Sequence, residues 1–300
     1  MKIVFHFDGT PALAAKLATH GVVLCPETDE AAFEALLPEV EVLWHSLKPV
    51  TAEVIARAPK LRLVQKIGSG VNTIDIAACE ARHIPVCNLP GTNSRAVAEM
   101  TLLLMLACLR RLRESDAAVR VPGGWAAAPA LQDHFGELAG RSVGLVGAGA
   151  IPQALAPILE AMGAKPLLWS RSRKDLTLEQ LLARADIVSL HLPLTPDTEG
   201  LIDPRRMKRG AILVNTARGA LVDEAALVVA LTDGHLAAAG LDVFAEEPPA
   251  ADHPLLALPN VVCAPHLAWL TQETLDRSIA AALENVRHLE NNVPLLNRVA

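Results

Sequence analysis

The residues best suited to chemistry begin at a glycine-rich turn. Gly147-Ala148-Gly149-Ala150-Ile151-Pro152 follows the buried-strand run Val143-Gly144-Leu145-Val146 and opens a helical pattern, the context that a dinucleotide fingerprint requires. Gly147 can make the tight turn. Gly149 lets the backbone approach a pyrophosphate, with Ala150 and Ile151 in the first helical turn, where free N–H groups and the helix dipole favour an anion. Pro152 stands where a third glycine would be expected. Its missing N–H is harmless in a first turn, although helix–strand packing should loosen there. Pro157 predicts a kink or a local break. Taken alone, the turn is also compatible with a plain strand-to-helix connection.

The end of the next strand-like run selects the nucleotide. A site for NAD places Asp or Glu there, about 20 residues on, against the ribose 2′-hydroxyl. This chain has Trp169-Ser170-Arg171-Ser172-Arg173-Lys174, with no carboxylate before Asp175. An Arg fork can bind a phosphate through two parallel hydrogen bonds. The stretch therefore favours NADP(H) over NAD(H), with Ser170, Arg171 and Ser172 as contacts to a 2′-phosphate. The alternative is a solvated basic loop.

Short apolar runs alternate with helical patterns along the whole chain, which points to parallel α/β sheets. Strands are expected at 3–7, 22–24, 40–44, 61–67 and 85–87, with helices over 30–37 and 73–82 among them. They make up a doubly wound unit of roughly 90 residues. A long helix over 94–113 and a loop-rich connection over 115–140, carrying Pro122, Gly123, Gly124 and Pro129, lead to a second series. Its strands are expected at 142–146, 166–169, 187–190, 211–214, 237–240 and 261–263. The last helical pattern, 272–290, carries Leu275, Ile279, Leu283 and Val286 at helical spacing and is free to return to the first unit. The expected class is α/β with two doubly wound parallel-sheet domains, 1–93 plus 271–300 and 94–270.

Composition narrows the setting. Of 300 residues, 51% are hydrophobic and 20% charged, as in an ordinary globular protein. The mean hydropathy of +0.31 comes largely from Ala and Leu. The longest apolar stretch, 100–109, is half a membrane span and ends at Arg110-Arg111, so no membrane segment is expected. Residues 1–8 are too short and too polar for a signal-peptide core. Five scattered cysteines (Cys25, Cys79, Cys87, Cys108, Cys263) show no metal-ligand spacing. They read as free thiols of a reducing, cytoplasmic compartment. A net charge of −6 and a pI near 5.9 argue against a nucleic-acid surface.

Three later stretches fall just past strand ends, where ligands bind in open α/β sheets. They are Asn215-Thr216-Ala217-Arg218-Gly219, Gly240-Leu241-Asp242-Val243-Phe244-Ala245-Glu246-Glu247-Pro248 and Pro265-His266-Leu267-Ala268. In this order, with the GxGxxP turn, they resemble the D-isomer-specific 2-hydroxyacid dehydrogenase family, which includes glyoxylate and hydroxypyruvate reductases and phosphoglycerate dehydrogenase. Lys66-Ile67-Gly68-Ser69-Gly70-Val71-Asn72 resembles the family's substrate-carboxylate loop. Ala96-Val97-Ala98-Glu99 resembles the opening of its interdomain helix. Asp186-Ile187-Val188-Ser189-Leu190-His191-Leu192-Pro193-Leu194-Thr195 resembles its cofactor-side strand and loop. The resemblance covers nearly the whole chain. It implies a flavodoxin-like substrate domain and a Rossmann NAD(P)-binding domain.

Carried over residue by residue, the resemblance places the catalytic Arg, Glu and His at Arg218, Glu247 and His266. Glu247 is preferred to Glu246 because it lies five after Asp242 and directly before Pro248. Further cofactor contacts fall on Thr101, His191, Pro193, Thr216, Ala217, Asp242 (beside the nicotinamide) and Ala268. Substrate contacts fall on Leu47, Ser69 and Gly70, together with Arg218 and His266. The residue types suit reduction of a 2-oxo acid. His266, protonated, can act as general acid toward the carbonyl oxygen as hydride reaches C2. Glu247 can hold the imidazole and favour its charged form. Arg218 can bind the substrate carboxylate with a charge that does not titrate away.

Leu47 suggests a small, partly apolar pocket for glyoxylate, hydroxypyruvate or a pyruvate-like acid. Lys48 either meets a substrate phosphate or is a solvated lysine, and Trp269 either walls the substrate pocket or packs between the domains. The chain stops at Ala300, which speaks against the longer, serine-regulated type of phosphoglycerate dehydrogenase. By resemblance the protein is a homodimer, with 115–140, including Trp125, as an arm across it; otherwise that segment is a surface loop. The alternatives in function are a non-enzymatic, cofactor-sensing binding protein of corepressor type and a same-fold dehydrogenase acting on formate, phosphite or phosphoglycerate.

Overall fold

The computed structural model describes residues 1–127, 132–173 and 175–300; Pro129 and Lys174 lie outside them. The first elements are β1 (Ile3–His6), α1 (Pro11–Ala18), β2 (Val22–Cys25), α2 (Glu30–Leu36), β3 (Val42–His45), α3 (Ala52–Arg57), β4 (Leu63–Lys66), α4 (Ile76–Ala81) and β5 (Val86–Cys87). Three helices follow: α5 (Ser94–Leu109), α6 (Leu112–Val119) and α7 (Gly124–Ala127). Then come β6 (Ser142–Val146), α8 (Ala150–Ala161), β7 (Lys165–Trp169), α9 (Leu178–Arg184), β8 (Ile187–Leu190) and β9 (Ile212–Asn215). The chain closes with α10 (Glu224–Thr232), β10 (Ala238–Leu241), α11 (Pro254–Ala257), β11 (Val261–Cys263) and α12 (Gln272–Glu290).

The chain divides into two units, residues 1–93 with 271–300 and residues 94–270. The first holds a parallel sheet of order β2-β1-β3-β4-β5, with its switch point between β1 and β3. This is the flavodoxin-like order. α12 belongs to this unit because a buried amide pair ties it there: Asn285 Nδ2 donates to Gln65 Oε1 on β4 at 2.7 Å. The last residues run beside β5, where Val299 N–H donates to the Val86 carbonyl at 2.8 Å, so the short edge strand is covered.

The second unit holds a parallel sheet of order β11-β10-β9-β8-β6-β7. Its strands are apolar on both faces, as a sheet covered by helices on both sides requires. Val146, Leu190, Leu213 and Leu241 face one core with α9 and α10, while Leu145, Ile187, Ile212 and Val214 face another with α5 and α8. Register decides where the loops emerge. Val146 pairs with Trp169 and Leu190, Leu190 with Asn215, Asn215 with Leu241, and Leu241 with Cys263. All six strands therefore end in one row, and the segments that follow them share one edge.

Three sequence expectations are corrected. The long helix stops at Leu109 rather than Arg113, because Arg111 takes a left-handed backbone (φ 48°) that redirects the chain into α6. The 115–140 connection is accordingly less loop-like than expected, holding most of α6 and all of α7. Pro157 produces no break: α8 runs through it from Ala150 to Ala161. Proline leaves the Gln153 carbonyl without its helical partner, but both residues are exposed, so water can take the place of the missing N–H. Pro152 is buried and falls third in α8, where an N–H would have no helical acceptor.

Candidate active site

The glycine turn is shaped by its neighbour strand. Gly147 has φ 125°, and a Cβ there would lie 2.5 Å from the His191 carbonyl oxygen, so only glycine lets β6 and β8 close at this point. Gly149 is the N-cap of α8, with no side chain to cap it and nothing within 4 Å of an added Cβ. The first-turn donors of Ala150 and Ile151 are thus left for a ligand, and the end of α8 at the β6/β8 switch point fits a pyrophosphate.

Past β7, Ser170 Oγ lies 3.1 Å from Ser172 Oγ. The cations here already have carboxylate neighbours. Arg171 Nη1 is 3.3 Å from Asp197 Oδ2, both exposed, and Arg173 makes two bonds to Asp175. Past β8, His191 Nε2 pairs with Ser189 Oγ at 2.9 Å. Its Nδ1 is buried and has no partner among the described residues. Burial pulls this imidazole down to about 3, so it is neutral at neutral pH. The Pro193 carbonyl accepts from Thr198 Oγ1 at 2.7 Å, which braces the loop after β8.

Past β9, the buried Thr101 on α5 donates to the Val97 carbonyl at 2.7 Å and lies 3.0 Å from Thr216 Oγ1. With no exposed surface of its own, Thr101 bears on this edge through Thr216. Asn215 shapes the turn: its Oδ1 accepts from Ala217 N–H at 3.0 Å and its Nδ2 donates to the Arg218 carbonyl at 2.8 Å. Burial draws the Arg218 guanidinium below its usual value, and the Glu247 charge works against that. Guanidinium starts so high that it stays charged.

Glu247 Oε2 accepts from His266 Nδ1 at 2.6 Å, while Glu247 Oε1 accepts from Phe244 N–H at 3.0 Å. Burial pushes the Glu247 carboxyl up. The hydrogen bond and charge of His266, with the Phe244 N–H and Arg218, outweigh it and hold Glu247 below the usual range. With Nδ1 engaged, Nε2 is the imidazole nitrogen left to exchange a proton with a ligand. His266 itself has φ 56°, a region costly for a side chain with a Cβ. Asp242 holds it there: its two oxygens accept from Leu267 N–H and Ala268 N–H, each at 2.9 Å, and its carbonyl accepts from His266 N–H at 2.7 Å. Burial pushes the Asp242 carboxyl up, opposed by those two N–H groups and by the His266 charge.

Arg218, Glu247, His266 and the expected cofactor residues thus all belong to residues 94–270, and those that follow strands lie on one sheet edge. Leu47, Ser69 and Gly70 follow β3 and β4 in the other unit, at the carboxyl ends of its strands. There the Ser69 carbonyl accepts from Asn88 Nδ2 at 2.7 Å, and Gly68 takes φ 146°. Lys48 is engaged within its own unit, 2.7 Å from the Glu27 carbonyl and 3.2 Å from Glu30 Oε1. Trp269 is buried. Sequence reasoning passed over Asn215, which shapes the Arg218 turn through backbone contacts, and over Glu224 and His253, whose side chains pair at 3.2 Å and accept the Ala245 and Leu255 N–H groups. The only signal for them was their nearness to the motifs. Among the described residues no group of His, Cys, Asp and Glu could hold a metal ion, and no helix is long and apolar enough to cross a membrane.

A doubly wound parallel sheet with a glycine turn at its switch point and an Arg, a Glu–His pair and a clamping Asp on its carboxyl edge defines a dehydrogenase-type dinucleotide-binding unit. The chain belongs to the D-isomer specific 2-hydroxyacid dehydrogenase family, whose NAD binding domain model matches residues 102–268. It is 43% identical over 269 residues to a D-3-phosphoglycerate dehydrogenase of Mycobacterium bovis, covering 84% of this chain and 50% of that protein. It is 41% identical over 289 residues to a glyoxylate reductase of Aeropyrum pernix, covering 89% and 86%. The chain spans about half the length of the phosphoglycerate dehydrogenases it matches. Its fold is similar to the TT0316 protein from Thermus thermophilus, with a TM-score of 0.84, 35% identity and full coverage of both chains.

Proposed function

We propose that this protein reduces a small 2-oxo acid of the glyoxylate, hydroxypyruvate or pyruvate type to the D-2-hydroxy acid, reversibly and with NADP(H) preferred. The observation that carries the reading is the Glu247–His266 contact of 2.6 Å on the edge that also presents Arg218. The nicotinamide cofactor, when bound at the glycine turn, would be the source of hydride for C2. Arg218 holds the substrate carboxylate and opposes charge on the carbonyl oxygen. His266 gives its proton from Nε2 to that oxygen, and Glu247 stabilises the imidazolium that precedes the transfer. In the oxidative direction His266 takes the hydroxyl proton. Gly147, Gly149 and the start of α8 would hold the pyrophosphate, and Ser170, Arg171 and Ser172 the 2′-phosphate. Lys48 is engaged by the Glu27 carbonyl and Glu30 and would have to change partners to meet a substrate phosphate, which favours an unphosphorylated acid.

The test is initial rate with glyoxylate and with hydroxypyruvate, each with NADPH and with NADH at neutral pH. Turnover with preference for NADPH supports the whole reading. Preference for NADH keeps the reaction and discards the 2′-phosphate contacts. No turnover with any 2-oxo acid in a wider panel rejects it.

The same reading includes a homodimer. Leu103, Leu112, Val119, Val121 and Trp125, all between positions 103 and 125, are exposed, Trp125 to 81%, and large apolar side chains left exposed in one stretch of chain suit a protein interface. Light scattering that finds a monomer at micromolar concentration would exclude it.

A further inference from the structure

The Glu247 carboxylate can serve His266 only if the segment that carries it is held still, and that segment is loop. Three contacts from outside the acid–base pair fix it. Glu224, the first residue of α10, accepts the Ala245 N–H through Oε1 at 3.0 Å. Its Oε2 lies 3.2 Å from His253 Nε2. His253 Nδ1 accepts the Leu255 N–H at 3.3 Å at the start of α11. A nitrogen that accepts carries no proton, so the ring proton sits on Nε2 and points at Glu224. The His253 ring also meets Phe244 edge-on, with centroids 5.8 Å apart. Phe244 is the residue whose N–H binds Glu247 Oε1. On the other side the Phe244–Ala245 peptide lies against Gly219, next to Arg218. A Cβ at Gly219 would stand 1.9 Å from the Phe244 carbonyl carbon and 2.2 Å from the Ala245 nitrogen.

We infer that Glu224, oriented by His253, is a positioning residue for the acid–base pair: it pins the 244–245 peptide on Gly219 and thereby sets Glu247 against His266. This rests on the functional reading above. Glu224 touches neither His266 nor the reacting atoms, so its effect passes through Glu247. Loss of its carboxylate frees the Ala245 N–H and leaves the His253 donor without its acceptor. The loop then samples positions in which Glu247 Oε2 no longer meets Nδ1.

The deciding experiment is a double-mutant cycle of Glu224→Ala with Glu247→Ala, scored by kcat, KM and NADPH dissociation constant. Expected is a fall in kcat of about 10-fold for E224A, a part of what a general acid contributes, with cofactor affinity within about twofold. In the E247A background, E224A should cost no further activity, because the group it positions is gone. Equal losses in both backgrounds, or full activity in E224A, would overturn the inference. E224Q serves where E224A does not fold: it keeps an acceptor for Ala245 but turns an N–H toward His253, and an intermediate loss is expected. The second measurement needs no substrate. The His266 Cε1–H NMR signal should move in E224A in the direction it moves in E247Q, and an unmoved signal refutes the inference. If the wild-type protein reduces no 2-oxo acid, the functional reading fails, and the NMR result still decides the role of Glu224.

Discussion

Asp242 is joined to His266 through the backbone. Its carboxylate accepts the N–H groups of Leu267 and Ala268, each at 2.9 Å, and its carbonyl accepts that of His266. The buried carboxylate thereby holds a histidine at φ 56°, where an unsupported residue would relax. Asp242→Asn keeps one acceptor and points an amide N–H at the other donor. A stability loss of about 1–3 kcal/mol is expected from one buried donor left unpaired, read from urea unfolding. Turnover should fall with it. An Asn variant as stable and active as the parent would show that the clamp does not matter.

His266→Ala removes the proposed acid and leaves the dinucleotide turn untouched. Turnover should drop by roughly 10²–10⁴, while the dissociation constant for NADPH, measured by fluorescence, changes little. A turnover number close to the parent's would rule His266 out as the proton donor.

Arg171→Ala separates the two nucleotides. Because Arg171 already leans on Asp197 at 3.3 Å, it must change partner to bind a 2′-phosphate. NADPH affinity should weaken about tenfold, the scale of one exposed charge-assisted contact, with NADH unaffected. Asp197→Ala should act the other way and tighten NADPH. Equal weakening of both nucleotides by R171A would remove this residue from the 2′-phosphate site.

Acid should destabilise the fold before any carboxylate reaches its ordinary range. Burial holds His191 at about 3 and His6 at about 4, and His45 lies well below its usual value. Each is neutral in the folded chain but binds a proton in the unfolded chain below about 6.5. The unfolded state therefore takes up more protons, and stability falls as pH drops. The contribution is complete above about pH 6.5 and is lost progressively toward pH 4 and below. Urea midpoints between pH 7.5 and 5 should decline, and His191→Gln should flatten that decline. A midpoint independent of pH across this range would contradict the neutral state of the three rings.

Alternating apolar runs place the strands within a residue or two, because strands buried on both faces must be continuously apolar. The glycine turn is equally visible, since the GxG pattern after an apolar run marks it, although the His191 carbonyl that excludes a Cβ at Gly147 lies far along the chain. The helix end at Leu109 was not visible. It depends on the left-handed turn at Arg111, and nothing in that residue type announces it. The intact α8 at Pro157 was also hidden, because the outcome turns on Gln153 and Pro157 facing water.

The order of motifs along the chain, through its resemblance to the family, was enough to nominate Arg218, Glu247 and His266 as candidates. Their meeting is another matter. Parallel register ends six strands in one row, and only that row brings segments dozens of residues apart to one edge. The supporting contacts of Asp242, Asn215 and Glu224 run from side chains to backbone N–H and C=O groups. Every residue except proline carries the same N–H, so such partners leave no mark in the residue types and appear only once the chain is folded.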